Sequence, residues 1–147
     1  MKVLFLTPYF YPHIGGVEKH VLEVARRLVK MGHKITVLTQ KSPSSQKSKD
    51  VLSGIKIFRI KIGKNGWLKK FRTWGEIWKI RKIIYNADVV NCHDVFFWYL
   101  PFRLIYPRMR VYTTFHGYEG KFPPSDGAIF VRKISEELSH GNIAFGS

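Results

Sequence analysis

Cysteine is almost missing from these 147 residues: Cys92 stands alone, which excludes an internal disulfide framework and suits a reducing compartment. Cys92 lies inside an apolar run, the setting of a buried, inert thiol rather than a nucleophile. Acidic residues are also few. Ten Asp and Glu face 25 Lys and Arg, a net charge of +15. Such an excess favours polyanionic partners: anionic lipid surfaces, nucleic acid or phosphorylated ligands. Long apolar runs are lacking too. The longest, Val95 to Phe102, holds eight residues and contains Pro101, far short of the ~20 that span a bilayer. The apolar start is interrupted by Pro8 and Pro12 with no small-residue cleavage site after it, so it does not read as a secretory signal. There is no G-x-G-x-x-G, which leaves classical dinucleotide binding weakly supported, and no G-x-x-x-x-G-K-[ST], which leaves a P-loop unsupported. The absence of G-x-S-x-G does the same for hydrolase chemistry of that type. The six histidines form no H-E-x-x-H and no tight Cys/His cluster, so no metal site is expected.

What is present describes one globular domain. Hydrophobic residues make up 45% and aromatics 15% of the chain, enough to build a core and to exclude disorder as the default. Lys2 to Thr7 reads as a buried parallel strand. After a Pro-, Gly- and aromatic-rich loop, Val17, Val21, Val24, Ala25 and Leu28 fall at helical spacing, and Gly32 is placed to cap that helix. His33 to Gln40 is a β-branched second strand, completing a βαβ unit. Lys41 to Ser53, rich in Ser and Lys, reads as an exposed loop. Ile55 to Ile62 is a third strand. Trp67 to Tyr85 is basic and aromatic, with helix expected in its second half. Ala87 to Cys92 is a fourth strand, Phe96 to Tyr106 a short helix disturbed by Pro101, and Arg110 to Phe115 a fifth strand. A loop from Tyr118 to Gly127, a helix from Phe130 to Leu138 and a sixth strand from Asn142 follow. This alternation predicts an α/β, Rossmann-like doubly wound parallel sheet.

In such sheets ligands gather at the carboxyl ends of the strands. Those ends are the loop from Thr7 to Gly16, the His93-Asp94 step and the His116-Gly117 step. Gly15-Gly16 opens the first helix, whose N-terminal N–H groups and positive dipole end can receive a phosphate; the pair also serves as an ordinary tight turn. His116 ends a strand before a glycine, where an imidazole can meet a ligand or simply be satisfied by backbone. His93 and Asp94 either hydrogen-bond an acceptor hydroxyl, or Asp94 caps the next helix. His13, His20, His33 and His140 carry weaker indications.

The stretch TPYFYPHIGGVEKHVLEVARRLVKMGHKITVLT, followed by ADVVNCHD and TTFHG, resembles the opening of the retaining glycosyltransferases of family 4. Those enzymes have the GT-B fold, two Rossmann-like domains flanking a cleft. The resemblance implies that residues 1–147 are the N-terminal, acceptor-side domain and that the C-terminal, donor-binding domain with its E-x7-E pair lies outside the chain. It implies that Gly15 and Gly16 approach the donor diphosphate, that Glu18 matches the glutamate of the GG-x-E loop, and that His116, followed by Gly117, faces the sugar as a catalytic group. It also implies a nucleotide-sugar as donor substrate, no cofactor and no metal, with positioning and electrostatic stabilisation as the protein's contribution. The domain alone is then expected to be inactive.

Lys56 to Lys82 carries ten basic residues against the single acid Glu76. Trp67, Phe71, Trp74 and Trp78 recur there at helical spacing. Trp74 and Trp78 share a stripe with Ile77 and Ile84 and suit packing on the sheet. Trp67, Leu68, Lys69, Lys70, Phe71 and Arg72 are the candidates for contact with an anionic membrane. Nucleic acid ranks below the membrane, because no RNP-like motif, zinc finger or helix-turn-helix is present. The expectation is a glycosyltransferase domain acting on a sugar or lipid-linked acceptor, cytoplasmic or peripheral on the cytoplasmic membrane face. The alternative is a non-catalytic Rossmann-like module whose basic face holds a membrane or acidic partner.

Overall fold

A computed structural model describes residues 1–13, 15–42, 47–63, 66–116 and 126–144. Its first strand, β1 (Lys2–Leu6), is the apolar run that opens the chain. Around it lie α1 (Gly16–Lys30), β2 (Lys34–Gln40), β3 (Lys49–Leu52), β4 (Ile55–Ile60), α2 (Leu68–Lys79), α3 (Lys82–Tyr85), β5 (Val89–His93), α4 (Phe96–Ile105), β6 (Arg110–Phe115), α5 (Asp126–Leu138) and β7 (Gly141–Ala144). The strands form one sheet in the order β3-β4-β2-β1-β5-β6-β7. β1 is hydrogen-bonded to β2 on one side and to β5 on the other, both parallel. The chain therefore winds outward in both directions from β1, a Rossmann-like arrangement whose switch point lies between β1 and β5.

Alternation along the strands divides the core in two. Val3, Phe5, Ile35, Val37, Ile55 and Ile57 face α1, where Val21 and Ala25 meet them. Leu4, Leu6, Leu38, Val90 and Cys92 face the other way, against Ile77 of α2, Ile84 of α3 and Tyr99 and Phe102 of α4. Cys92 is free and buried, and desolvation holds its thiol far above the ordinary range. The end of α1 follows from its sequence. Gly32 takes φ +90°, its N–H donates to Val29 O at 2.9 Å, and the N–H of His33 donates to Leu28 O at 3.0 Å. This paired closure needs a left-handed residue, which glycine supplies without a Cβ clash.

Two sequence expectations are corrected. The stretch expected as a loop, Lys41 to Ser53, contains β3, which runs antiparallel to β4 with Leu52 opposite Ile55, so the sheet is parallel except at this edge. Ser53 and Gly54, at φ 51° and 79°, form the two-residue turn; a hairpin whose turn needs two positive φ values is readily signalled by Asn-Gly and less so by Ser-Gly. Residues 43–46 lie outside the described part. The helix expected only in the second half of Trp67 to Tyr85 starts at Leu68, because the Trp67, Phe71 and Trp74 rings stack edge to face along it at 5.6 and 5.5 Å.

The expected disturbance at Pro101 takes a specific form. α4 continues through Pro101, which has no N–H to give the carbonyl four residues earlier. That carbonyl, Phe97 O, instead accepts the indole N–H of Trp74 at 3.0 Å. The lost bond inside α4 thus becomes a link between α2 and α4. Replacing Trp74 by Phe leaves Phe97 O without this donor and is expected to cost about 1–2 kcal/mol, read from urea unfolding. In a Pro101→Ala background, where the helix supplies its own N–H, the same substitution is expected to cost less.

Candidate functional site

The loop after β1 is held open by hydrogen bonds from outside itself. The hydroxyl of Thr39 donates to Pro8 O at 3.2 Å and the N–H of Gln40 to the same oxygen at 3.4 Å. Arg59 of β4, 5% exposed, donates to Tyr11 O at 2.8 Å, to Lys47 O at 3.0 Å and to the Asp50 carboxylate at 3.3 Å. Asp50 is held below the usual carboxylate range by the Val51 N–H, against the opposing effect of desolvation, and with help from Arg59. In the sequence Arg59 is marked only by its place in the third strand, a charged residue between Ile57 and Ile60, both of which are buried.

Gly15 is the N-cap of α1 and Gly16 its first residue. Glu18, 9% exposed, folds its carboxylate back over Gly15, so closely that a Cβ there would overlap it. Glu18 also meets His13 Nδ1 at 3.5 Å. A carboxylate in the first turn suits the positive end of the helix. A Cβ on Gly16, by contrast, meets nothing within 4 Å among the described residues, so among them the space over that residue is open.

β5 and β6 bring the two histidine steps together. His93 Nδ1 lies 2.8 Å from His116 Nε2. The rings are 5.1 Å apart between centroids and inclined by 21°; that separation is the contact distance plus the two ring radii, so they meet edge to edge and nearly in one plane. His20 of α1 lies edge-on to His116 at 5.5 Å, which its place on the helix did not reveal, since only the folding of α1 onto the sheet brings it there. Phe5 packs against His93 at 5.3 Å. His93 is 3% exposed, and its pKa is pushed down to about 3, first by burial and then by His116 and His20. Asp94 has φ 57°, a left-handed conformation that Asp tolerates. α4 has no side-chain cap; the Asp94 carboxylate accepts instead from the N–H of His116, at 3.3 Å to each oxygen. The helix-capping alternative for Asp94 is therefore corrected.

These ends open into a cleft of about 590 Å³, bordered by Tyr9, Glu18, Lys70, Asp94, His116 and Arg132 among others. Lys70 and Arg132 give it a positive rim, each held over a ring, Phe97 and Phe115, at 4.8 Å. Arg132 was not anticipated, and Lys70 only as a membrane contact. His93 sits behind His116 rather than on the cleft wall. Gly117 lies outside the described residues. Trp67, Leu68 and Phe71 are exposed at 74%, 67% and 55%, with Lys69, Lys70 and Arg72 exposed beside them. Trp78 lies against Phe102 yet stays half exposed, less covered than its stripe suggests. Among the described residues no group of three or more His, Cys, Asp or Glu has an arrangement that holds a metal, and no helix is long and apolar enough to cross a membrane.

Residues 14–142 match the family model described as Glycosyltransferase Family 4. The chain is 24% identical over 133 residues to a phosphatidylinositol N-acetylglucosaminyltransferase subunit of Homo sapiens, covering 90% of this chain and 23% of that protein. It is 35% identical over 97 residues to phosphatidyl-myo-inositol mannosyltransferase of Mycolicibacterium smegmatis, covering 64% of this chain and 25% of that one. The chain thus spans a quarter or less of these relatives' lengths. Among solved structures, sucrose-phosphate synthase from Thermosynechococcus elongatus aligns at a TM-score of 0.73 with 10% identity, over 96% of this chain and 41% of that one.

Two outcomes follow from the geometry. Gly15→Ala should displace the Glu18 carboxylate, and in a double-mutant cycle with Glu18→Ala the two should couple by ~1 kcal/mol, read from unfolding midpoints. His93 should also make stability depend on pH. The unfolded chain protonates it near 6.5, whereas the folded chain resists down to about 3, so the stability it confers is present above the ordinary histidine range and lost as pH falls through that window. Between pH 7 and 5 the expected loss is roughly 2 kcal/mol, and it should be absent in His93→Phe.

Proposed function

Since this chain belongs to Glycosyltransferase Family 4, we propose that it is the acceptor-side domain of an enzyme that moves a sugar from a nucleotide-sugar to a lipid-linked acceptor. The observation that carries this reading is the convergence of the α1 N-terminus, the β5 end and the β6 end on one positively rimmed cleft. Two of its relatives carry phosphatidylinositol or phosphatidyl-myo-inositol in their names, and a cleft with Lys70 and Arg132 on its rim suits a phosphorylated headgroup.

In this reading the open backbone at Gly16 and the adjoining Gly15 receive the donor diphosphate. His116 meets the sugar as the catalytic group, with Gly117 beside it. Glu18 and Asp94 shape the wall, and His93 acts through His116 instead of touching substrate. The bond between the anomeric carbon and the donor phosphate breaks as the acceptor oxygen bonds to that carbon, and the acceptor proton leaves with the phosphate. The protein supplies position and field. The other domain of the enzyme supplies most of the donor contacts, and no cofactor or metal takes part. Trp67, Leu68 and Phe71, with Lys69, Lys70 and Arg72, rest on an anionic bilayer and bring the cleft to its lipid acceptor.

Titration of the ¹⁵N-labelled chain with inositol 1-phosphate should shift the amides of Glu18, Lys70, His116 and Arg132. Shifts confined to the opposite, amino ends of the strands, around Tyr85 and Arg108, would refute the acceptor site. With nucleotide-sugars alone the chain should give no transfer. In flotation it should rise with vesicles containing anionic lipid, less at high salt, and a Trp67→Ala/Phe71→Ala variant should rise less; equal recovery with neutral vesicles would refute the membrane face.

A further inference from the structure

The pair His93–His116 holds more information than proximity. A single short N···N contact between two imidazoles needs one proton, so one ring donates and the other accepts. The rings are nearly coplanar and meet edge to edge at 2.8 Å, the geometry in which an N–H points straight into an in-plane lone pair. The direction is set at the far side of His93. Its Nε2 is fully buried and has no hydrogen-bond partner among the described residues. If His93 carried its proton on Nε2, a buried N–H would be orphaned; if on Nδ1, only a lone pair is left unpaired. Orphaned buried N–H groups are the rarer of the two. Double protonation is opposed by burial, which pushes the ring's pKa down to about 3.

We propose that His93 is a positioning residue that donates its Nδ1–H to His116 Nε2 and so fixes His116, on the cleft wall, as the Nδ1–H tautomer. His116 Nδ1 is then a donor only, and any ligand that meets that nitrogen must present an oxygen acceptor such as a sugar hydroxyl or a phosphate oxygen. This consequence for the ligand rests on the proposed glycosyltransferase site; the tautomer does not. Asp94 supports the same arrangement from the backbone, since its carboxylate accepts from the His116 N–H and thereby holds the residue in place.

The test needs no substrate, so its failure is separate from any failure of the sugar-transfer reading. Long-range ¹H–¹⁵N correlation spectra of the labelled chain, recorded at a pH of about 8.5 where ordinary imidazoles are neutral, distinguish protonated from bare ring nitrogens. His116→Gln and His93→Phe identify the two rings by loss of signal. In the native chain both rings should show a protonated Nδ1 and a bare Nε2. His93→Phe, of similar size but without a donor, should move His116 toward the Nε2–H form that imidazole prefers in water. His93→Asn, which keeps a donor, should restore the native pattern. A protonated Nε2 on either ring of the native chain overturns the proposal, even if no variant folds. An unchanged His116 in His93→Phe overturns it as well.

Discussion

A strand buried on both faces and hydrogen-bonded along both edges leaves its chain no exit except at its ends. β1 is in that position: Leu4 and Leu6 are buried on one face, Val3 and Phe5 on the other, and β2 and β5 occupy its flanks in parallel. Parallel neighbours discharge their loops at the same end, so the segments after β1, β5 and β6 are forced onto one rim. The glycine turn, the His93-Asp94 step and His116 meet there although a long stretch of chain separates the first from the last. The site is a product of strand direction before it is a product of side-chain chemistry.

Charge is distributed in a way that complements this. The net excess of +15 places basic groups over many parts of the surface, but at the cleft positive and negative groups are mixed. Glu18, in the first turn of α1, meets His13, and Asp94, just after β5, meets the His116 N–H, while Lys70 of α2 lies over Phe97 and Arg132 of α5 lies over Phe115 and pairs with Glu136. Asp94 orders the backbone at His116, and Lys70 and Arg132 add positive charge to the rim. The single field inferred from composition thus separates into a steering component and a scaffolding component.

The alternation of elements, the apolar stripe of α1, its glycine end and the three strand-end steps were all legible in the residues, because period and turn chemistry are local. β3 was not, since a short, half-exposed edge strand has no periodicity of its own and depends on β4 to exist. The roles of Arg59, Lys70, Arg132 and His20 were hidden for a related reason. Each acquires a partner from another element, and, apart from the isoleucines on either side of Arg59, a basic residue in a basic sequence gives little sign of which one will be buried or aimed at a cleft. His93 and Asp94 were found as residues but not in their relation to His116, because adjacency of strands, not sequence spacing, creates it.

Cys92, one residue before His93, occupies the interior of a strand paired on both sides, with no exposed surface. A thiol so enclosed and so reluctant to ionise reacts only when the sheet itself comes apart. The molecule therefore carries a native recorder of its own opening: the rate at which alkylating reagents consume this one sulfur measures how often the domain breathes, with no foreign probe added to the fold.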